Sequence, residues 1–336
     1  MRISLLGRFA LCASAAIALL EGCGAPQAQI PGPALPQARF IERDAATGSW
    51  MLPEASSEDL LYVTNYSYVS VYSYPKGEVV GELKGFFSTV GECVDSRGDV
   101  FVTNDKPVTV YEYVHGGTKR IASYPTKKAG AVGCAISPKT GDLAISGGFG
   151  SYVEIYKQAK GKPIAILDKD MWYGHFCTYD DSGDLFFLGL RNSKGHPRLS
   201  ELKSGSSHFI DINADAYMYD EGGIQWDNGY LTAVSLVAKP RTVAIGQFQV
   251  MGTKAHEVTV TPLDKPADIV LQYFIDGDTL IVPNLENSGS NVLYYKYPAG
   301  GEPTFTLPSY AARGVVVSLA TASSVAYFPH RSTQTR

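Results

Sequence analysis

A chain of 336 residues has room for one large domain or two smaller ones, and 45% hydrophobic residues suffice for a sizeable core. Its 34 Gly, 19 Pro and 21 Tyr favour short strands and many turns over long helices. A net charge of −4, with no basic run or stripe, excludes the electrostatic footprint of a nucleic-acid binder.

The chain opens on a targeting segment. Arg2 and Arg8 supply positive charge, and residues 9–20 form an apolar run of 12 residues. A spanning helix needs about 20 residues, so the run suits a signal-peptide core. It closes on Leu20-Glu21-Gly22-Cys23. This resembles the bacterial lipobox, although Glu21 stands where a small neutral residue is usual. The resemblance implies that Cys23 is lipidated after removal of residues 1–22, with the membrane as a partner through its acyl chains. The alternative is ordinary cleavage near Ala25 or Ala28, which gives a secreted protein. Residues 23–57 then read as a Pro/Ala/Gln-rich tether. The apolar stretch Trp50-Met51-Leu52-Pro53 is expected to pack on the underside of the domain.

From residue 58 onward an internal repeat organises the chain. A Tyr-rich strand followed by a turn closed by Gly recurs six times. Tyr72-Ser73-Tyr74-Pro75-Lys76-Gly77 and Tyr295-Lys296-Tyr297-Pro298-Ala299-Gly300 are the clearest copies. The closing glycines Gly77, Gly116, Gly161, Gly205, Gly252 and Gly300 lie 39, 45, 44, 47 and 48 residues apart. Four short strands with their turns occupy about that length, as in a propeller blade. A second signature, a turn ending in Gly-Asp before an alternating strand, occurs at Gly98-Asp99, Gly141-Asp142, Gly183-Asp184 and Gly277-Asp278, with Asn228-Gly229 as a variant. Six copies of one signature against five of the other leave the first unit, at Leu60-Leu61-Tyr62-Val63-Thr64-Asn65, without its leading strand. Gly314-Val315-Val316-Val317 supplies that strand from the other end of the chain. The expected fold is therefore all-β: a six-bladed β-propeller of four-stranded blades over residues 58–320, closed by its C-terminal strand. A tail follows at 321–336, and the domain is expected to be monomeric.

The Gly-x-x-Val-Asp inner strand, the Gly-Asp turn and the Val-x-Val-Tyr strand resemble the NHL-repeat superfamily of six-bladed propellers. Residues 49–53, 60–65 and 295–301 are similar to exported bacterial propeller lipoproteins of unassigned function. The resemblance covers most of residues 49–320 and speaks to the fold, since such propellers bind, scaffold and catalyse on one frame. Relatives of the gluconolactonase type imply a divalent metal held by carboxylate and Asn ligands from several inner strands.

Candidate site residues follow from that frame. Inner strands line the channel, which makes Glu92, His175 and Asp268 the channel-mouth candidates. Glu92 and His175 come from blades two apart, and a catalytic metal wants about three protein ligands. No Gly-x-Ser-x-Gly elbow, His-Glu-x-x-His or phosphate loop is present. Asn65, Asn104 and Asn284 read as turn-formers. Tyr66 and Tyr68, in a loop, are aromatic contact candidates for a protein, peptide or glycan ligand. Cys93, Cys134 and Cys177 lie on three successive inner strands, with Cys93 in opposite parity to the other two. Parity admits a Cys93–Cys134 disulfide across a blade interface, which export permits; the alternative is three buried thiols. The expected function is a non-catalytic, envelope-anchored binding or scaffolding module without a cofactor. The alternative is a metal-dependent lactonase-like hydrolase with a divalent metal in the channel.

Overall fold

The structure is a computed structural model and describes residues 41–238, 241–265, 270–285 and 290–320. Apart from two short 3-10 segments, Pro53–Ser56 and Lys157–Ala159, the described residues form strands, turns and irregular chain. Both repeat signatures mark turns that need a positive φ. The six closing glycines have φ between 59° and 81°. Gly98, Gly141, Gly183, Gly229 and Gly277 lie between 57° and 84°. A side chain is strained in that region, so glycine sets where each hairpin reverses.

Between those turns the strands run as four-stranded antiparallel meanders. The second comprises Glu92–Val94, Val100–Asn104, Thr109–Tyr113 and Arg120–Pro125. The third comprises Gly133–Ile136, Leu143–Ser146, Tyr152–Tyr156 and Ile164–Leu167. The sixth comprises Phe274–Asp276, Thr279–Asn284, Asn291–Lys296 and Phe305–Pro308. Each is a separate sheet.

The fourth and fifth meanders share one nine-stranded sheet. The fourth is Tyr173–Tyr179, Leu185–Asn192, His196–Leu202 and Ile210–Ala214, and the short strand Gly148–Phe149 pairs with its inner edge. The fifth is Ile224–Asp227, Tyr230–Ala238, Arg241–Met251 and Lys254–Pro262. Its long outer ribbon reaches the fourth, pairing in parallel at Asn213↔Lys254 and Ala214↔Ala255. The Asp215 carboxylate holds His256 and the Glu257 N–H at this junction.

The first meander draws on both ends of the domain. Gly314–Ser318 pairs with Leu60–Thr64, matching Val315 to Val63, Val316 to Tyr62 and Val317 to Leu61. Tyr68–Ser73 and Val79–Lys84 follow outward. Residues 41–51, read from sequence as tether, add two more strands at the outer edge. Trp50 and Met51 do not lie on the underside as expected. They pair with Glu82 and Gly81, because Met51 is buried to 1% among Leu60, Val69, Val71 and Leu83. The space for it exists because residue 81 lacks a side chain: a Cβ there would sit 2.0 Å from the Met51 sulphur. Cys23 and the tail at 321–336 lie outside the described residues.

Six apolar clusters join these meanders in order. One packs the first against the second, through Tyr62, Val316, Val102 and Tyr111. Others join second to third, third to fourth, fourth to fifth and fifth to sixth. The last packs Ile281, Val292 and Tyr294 of the sixth against Leu61, Val315 and Val317 of the first. The innermost strands neighbour one another in the same cyclic order. Val315, Val316 and Val317 are 0–3% exposed. At about 1.5–3 kcal/mol per buried valine, the closing strand contributes an amount comparable to the whole stability of a domain, about 5–15 kcal/mol.

Candidate functional site

The inner strands converge tightly at the end where they begin. A Cβ on Gly91 would lie 2.4 Å from the Val132 carbonyl oxygen, and one on Gly314 would lie 2.4 Å from that of Val90. Glycine is therefore required for the backbones to meet there. The Gln272 side chain fills this constriction. Its Oε1 accepts the Glu92 N–H at 2.7 Å, and its Nε2 donates to the Glu92 carbonyl. Gln225 makes the same two-point clasp on Ile275, with both bonds at 2.8–3.0 Å. Each amide replaces a strand partner and satisfies backbone groups that would otherwise face the axis.

Beyond the constriction the strands splay and leave a cavity of about 310 Å3. Every meander contributes to its wall, among them Val94, Ile136, Thr178, Trp226, Phe274 and Val316. Trp226 is fixed at the rim. Its Nε1 donates to Asp181 Oδ2 at 3.0 Å, its backbone N–H to Thr178 Oγ1 at 3.2 Å, and its ring stacks on Phe186 at 5.6 Å. The result is a cup open at one end, whose wall sets apolar side chains beside the amides of Gln225 and Gln272, the Thr178 hydroxyl and the Asp181 carboxylate, a concave site of mixed character. Two other clefts lie between adjacent meanders. The larger, about 580 Å3, is walled by turn residues such as Ser96, Arg97, Pro138 and Lys160.

The titratable candidates take other places. Glu92 belongs to the channel wall, but its carboxyl is 0% exposed and makes no hydrogen bond. Residues 92 and 94 share a face with Val102 and Val100, which pack against the first meander. Parity thus turns the carboxyl between sheets rather than into the mouth. Burial raises its pKa from 4.5 to about 8, and the nearby Thr64 backbone N–H offsets only part of that rise. His175 sits in a β-bulge between Gly174 and Cys177, half-buried against the Tyr173 ring at 4.7 Å. Burial lowers its pKa, while Glu221 and the Asp220 backbone oppose that shift. From the inner strand of the fourth meander it therefore faces the Asp220–Glu221 loop before the fifth, and the structure does not bring it to Glu92. Asp268 lies outside the described residues. The sixth inner strand is Phe274–Asp276, set by the Phe274↔Ile281 pairing, so it begins later in the chain than the sequence suggests. Among the described residues no group of three His, Cys, Asp or Glu side chains could hold a metal ion.

Cys93 and Cys134 form a disulfide, with Cα atoms 5.8 Å apart. Both belong to the cluster between second and third meanders, paired with Phe101 and Ile145. Cys177 faces the next interface instead, and burial pushes its thiol up to about 12. Asn65, Asn104 and Asn284 fasten loops: Asn65 Nδ2 donates to the Val63 carbonyl, and Asn104 Oδ1 accepts the Phe87 N–H at 2.7 Å. Tyr66 is 43% exposed in a loop at the constricted end, whereas Tyr68, expected in the same loop, opens the strand Tyr68–Ser73 opposite Lys84 and is half-buried. Sequence reasoning missed Gln272, Gln225 and Trp226. The available signal was an amide flanked by bulky apolar residues, as in Leu271-Gln272-Tyr273 and Ile224-Gln225-Trp226.

No protein-family profile matches the chain, and no curated protein does. Solved structures do. The chain is similar to one in a nidogen/laminin complex, with a TM-score of 0.56 and 12% identity over 78% of this chain and 98% of that one. It is also similar to a protein of unknown function from Bacteroides caccae, with a TM-score of 0.55 and 12% identity over 78% of this chain and 99% of that one. The fold is a β-propeller. At such identity the likeness speaks to the fold alone.

The buried Glu92 carboxyl makes stability depend on pH with a definite sign. Below about pH 4.5 it is protonated in both folded and unfolded chains. Between about 4.5 and 8 the unfolded chain releases a proton that the folded one keeps, so stability falls as pH rises, and above about 8 the loss is complete. Glu92→Gln removes this dependence. Its stability relative to the wild type, from urea melts, should rise by on the order of 3 kcal/mol between pH 4.5 and 8. A difference that stays flat would mean that the carboxyl is solvated or paired.

Proposed function

We propose that the chain is a non-catalytic binding protein, tethered to the cell envelope and built on a six-bladed, NHL-like propeller that takes a small ligand with both apolar and polar groups into its axial cup. Six clusters joined in a cycle support the blade count, with the fourth and fifth blades fused at their outer strands. The observation that carries the binding reading is the 310 Å3 cavity, walled from all sides and rimmed by Trp226 and Phe274. The Cys93–Cys134 disulfide suits an oxidising compartment and so supports export. A lactonase-like metal site would need Glu92 and His175 to converge, and that reading gains no support from a sealed carboxyl and an imidazole in a separate bulge.

Two measurements test the two halves of this reading. Anilinonaphthalene sulfonate should bind at one site per chain and quench Trp226 by energy transfer. Ile136→Glu, which sets a negative charge in the mouth against the probe's sulfonate, should weaken that binding at least tenfold; unchanged binding would place the probe elsewhere. Cells fed labelled palmitate should mark the wild type but not Cys23→Ser, and label on both would refute the anchor at Cys23.

A further inference from the structure

At the constricted end of the ring, three loops meet. They hold residues 65–67, 86–88 and 309–313. Thr89 donates to the Asn65 carbonyl, and Ser309 Oγ lies 3.5 Å from Asn65 Oδ1. Tyr66, Phe87 and Tyr310 on these loops are 43%, 37% and 75% exposed. Tyr66 and Phe87 meet edge to face at 5.5 Å. The Arg313 guanidinium lies 5.0 Å from the Tyr66 ring centre, and Lys106 Nζ lies 4.7 Å from that of Phe87.

Among the described residues Arg313 has no counter-charge. It is half-buried, and its Nε is sealed from solvent without a partner. Its guanidinium makes one long hydrogen bond, 3.4 Å to Ser88 Oγ, and no ion pair with any described carboxylate. Burial lowers its pKa, opposed only by Tyr66. Arg198 shows the contrast within the same protein: more deeply buried than Arg313, it is met by both oxygens of Asp168 at 3.0 Å and by Asp211 at 2.7 Å. Among the described residues, the acids of the neighbouring strand and loop are turned to other use or lie in solvent. Glu82, near Tyr68, pairs with Lys84 at 2.9 Å, and Asp105 is exposed beside Lys106. Desolvating a guanidinium without an acid partner is costly, and an incoming anion would relieve that cost.

We propose that this surface binds an acidic saccharide, whose carboxylate pairs with Arg313 while its ring lies against Tyr66 and Phe87. The planar guanidinium fork matches a carboxylate in two-point geometry. The exposed rings offer a flat apolar surface to the C–H face of a pyranose and lose little entropy in doing so. Lys106 adds a second positive charge beside the platform. Inorganic phosphate would satisfy the arginine but gain nothing from the rings. A peptide would want an apolar pocket for its side chains, and the cavities described above are walled by other residues. This site is separate from the axial cup, so the loss of either leaves the other standing.

Titration of the full-length, detergent-solubilised protein with trigalacturonate tests the assignment. Binding is expected, and it should weaken at least tenfold for the methyl-esterified trisaccharide and for Arg313→Gln, and about fivefold for Tyr66→Ala. Arg313→Lys, which keeps the charge without the fork, should fall between. The backbone bonds of residue 313, from its N–H to the Thr64 carbonyl and from the Gln272 N–H to its own carbonyl, do not involve its side chain, so the ring should close in every variant. No binding of trigalacturonate, equal affinity for its ester, equal affinity of Arg313→Gln, or equal binding of tri-aspartate or inorganic phosphate would each overturn the proposal.

Discussion

The pairing of Gly314–Ser318 with Leu60–Thr64 is the constraint on which the molecule rests. Five residues from one end of the chain complete a sheet begun some 250 residues earlier, and their side chains pack both ways. Val316 faces the second meander, while Val315 and Val317 face the sixth. Without that strand the first and sixth meanders would each present an unpaired or uncovered face, the hazard that closure removes. The constricted end depends on it as well, because Gly314 is one of the glycines that let the inner backbones meet around Gln272.

Closure also decides what the axis can do. Inner strands alternate their side chains between two neighbouring interfaces, so titratable groups on them are drawn between sheets. Glu92 is the clearest case: its carboxyl is buried beside Tyr62, whose own hydroxyl is held by the Gly116 N–H at 2.9 Å. The axis is left to residues where the strands splay, among them Val94, Ile136, Thr178, Asp181, Trp226 and Phe274. Amides do the polar work at its floor, because Gln225 and Gln272 offer a donor and an acceptor together, as a strand does. The same alternation sends Cys93 and Cys134 to one interface and Cys177 to the next.

Much of the fold is legible in the sequence because its turns demand glycine. Gly77 and Gly98 mark hairpins by conformational necessity, and the mismatch between the two signatures points to the chain ends sharing a sheet. Other features depend on tertiary contact. The outer strand at Trp50–Met51 requires the missing side chain at Gly81, thirty residues away. The fusion of the fourth and fifth meanders follows from the length of one ribbon, which alternation alone does not fix. At the site, parity could be read for Cys93 and Cys134 but not for His175, since a bulge shifts the register between Gly174 and Cys177. Arg313 carries no sequence signal at all; only the structure reveals that no described carboxylate answers its charge.

Amide hydrogen exchange on residues 314–318 tests the closed ring most directly. Strands that open only with the whole domain exchange at the rate of global unfolding. The account predicts that the amides of Val315–Val317 exchange as slowly as those of Leu61–Val63, and that both sets respond together to added denaturant. Exchange of 315–317 well ahead of 61–63, at the rate of a fraying terminus, would contradict it.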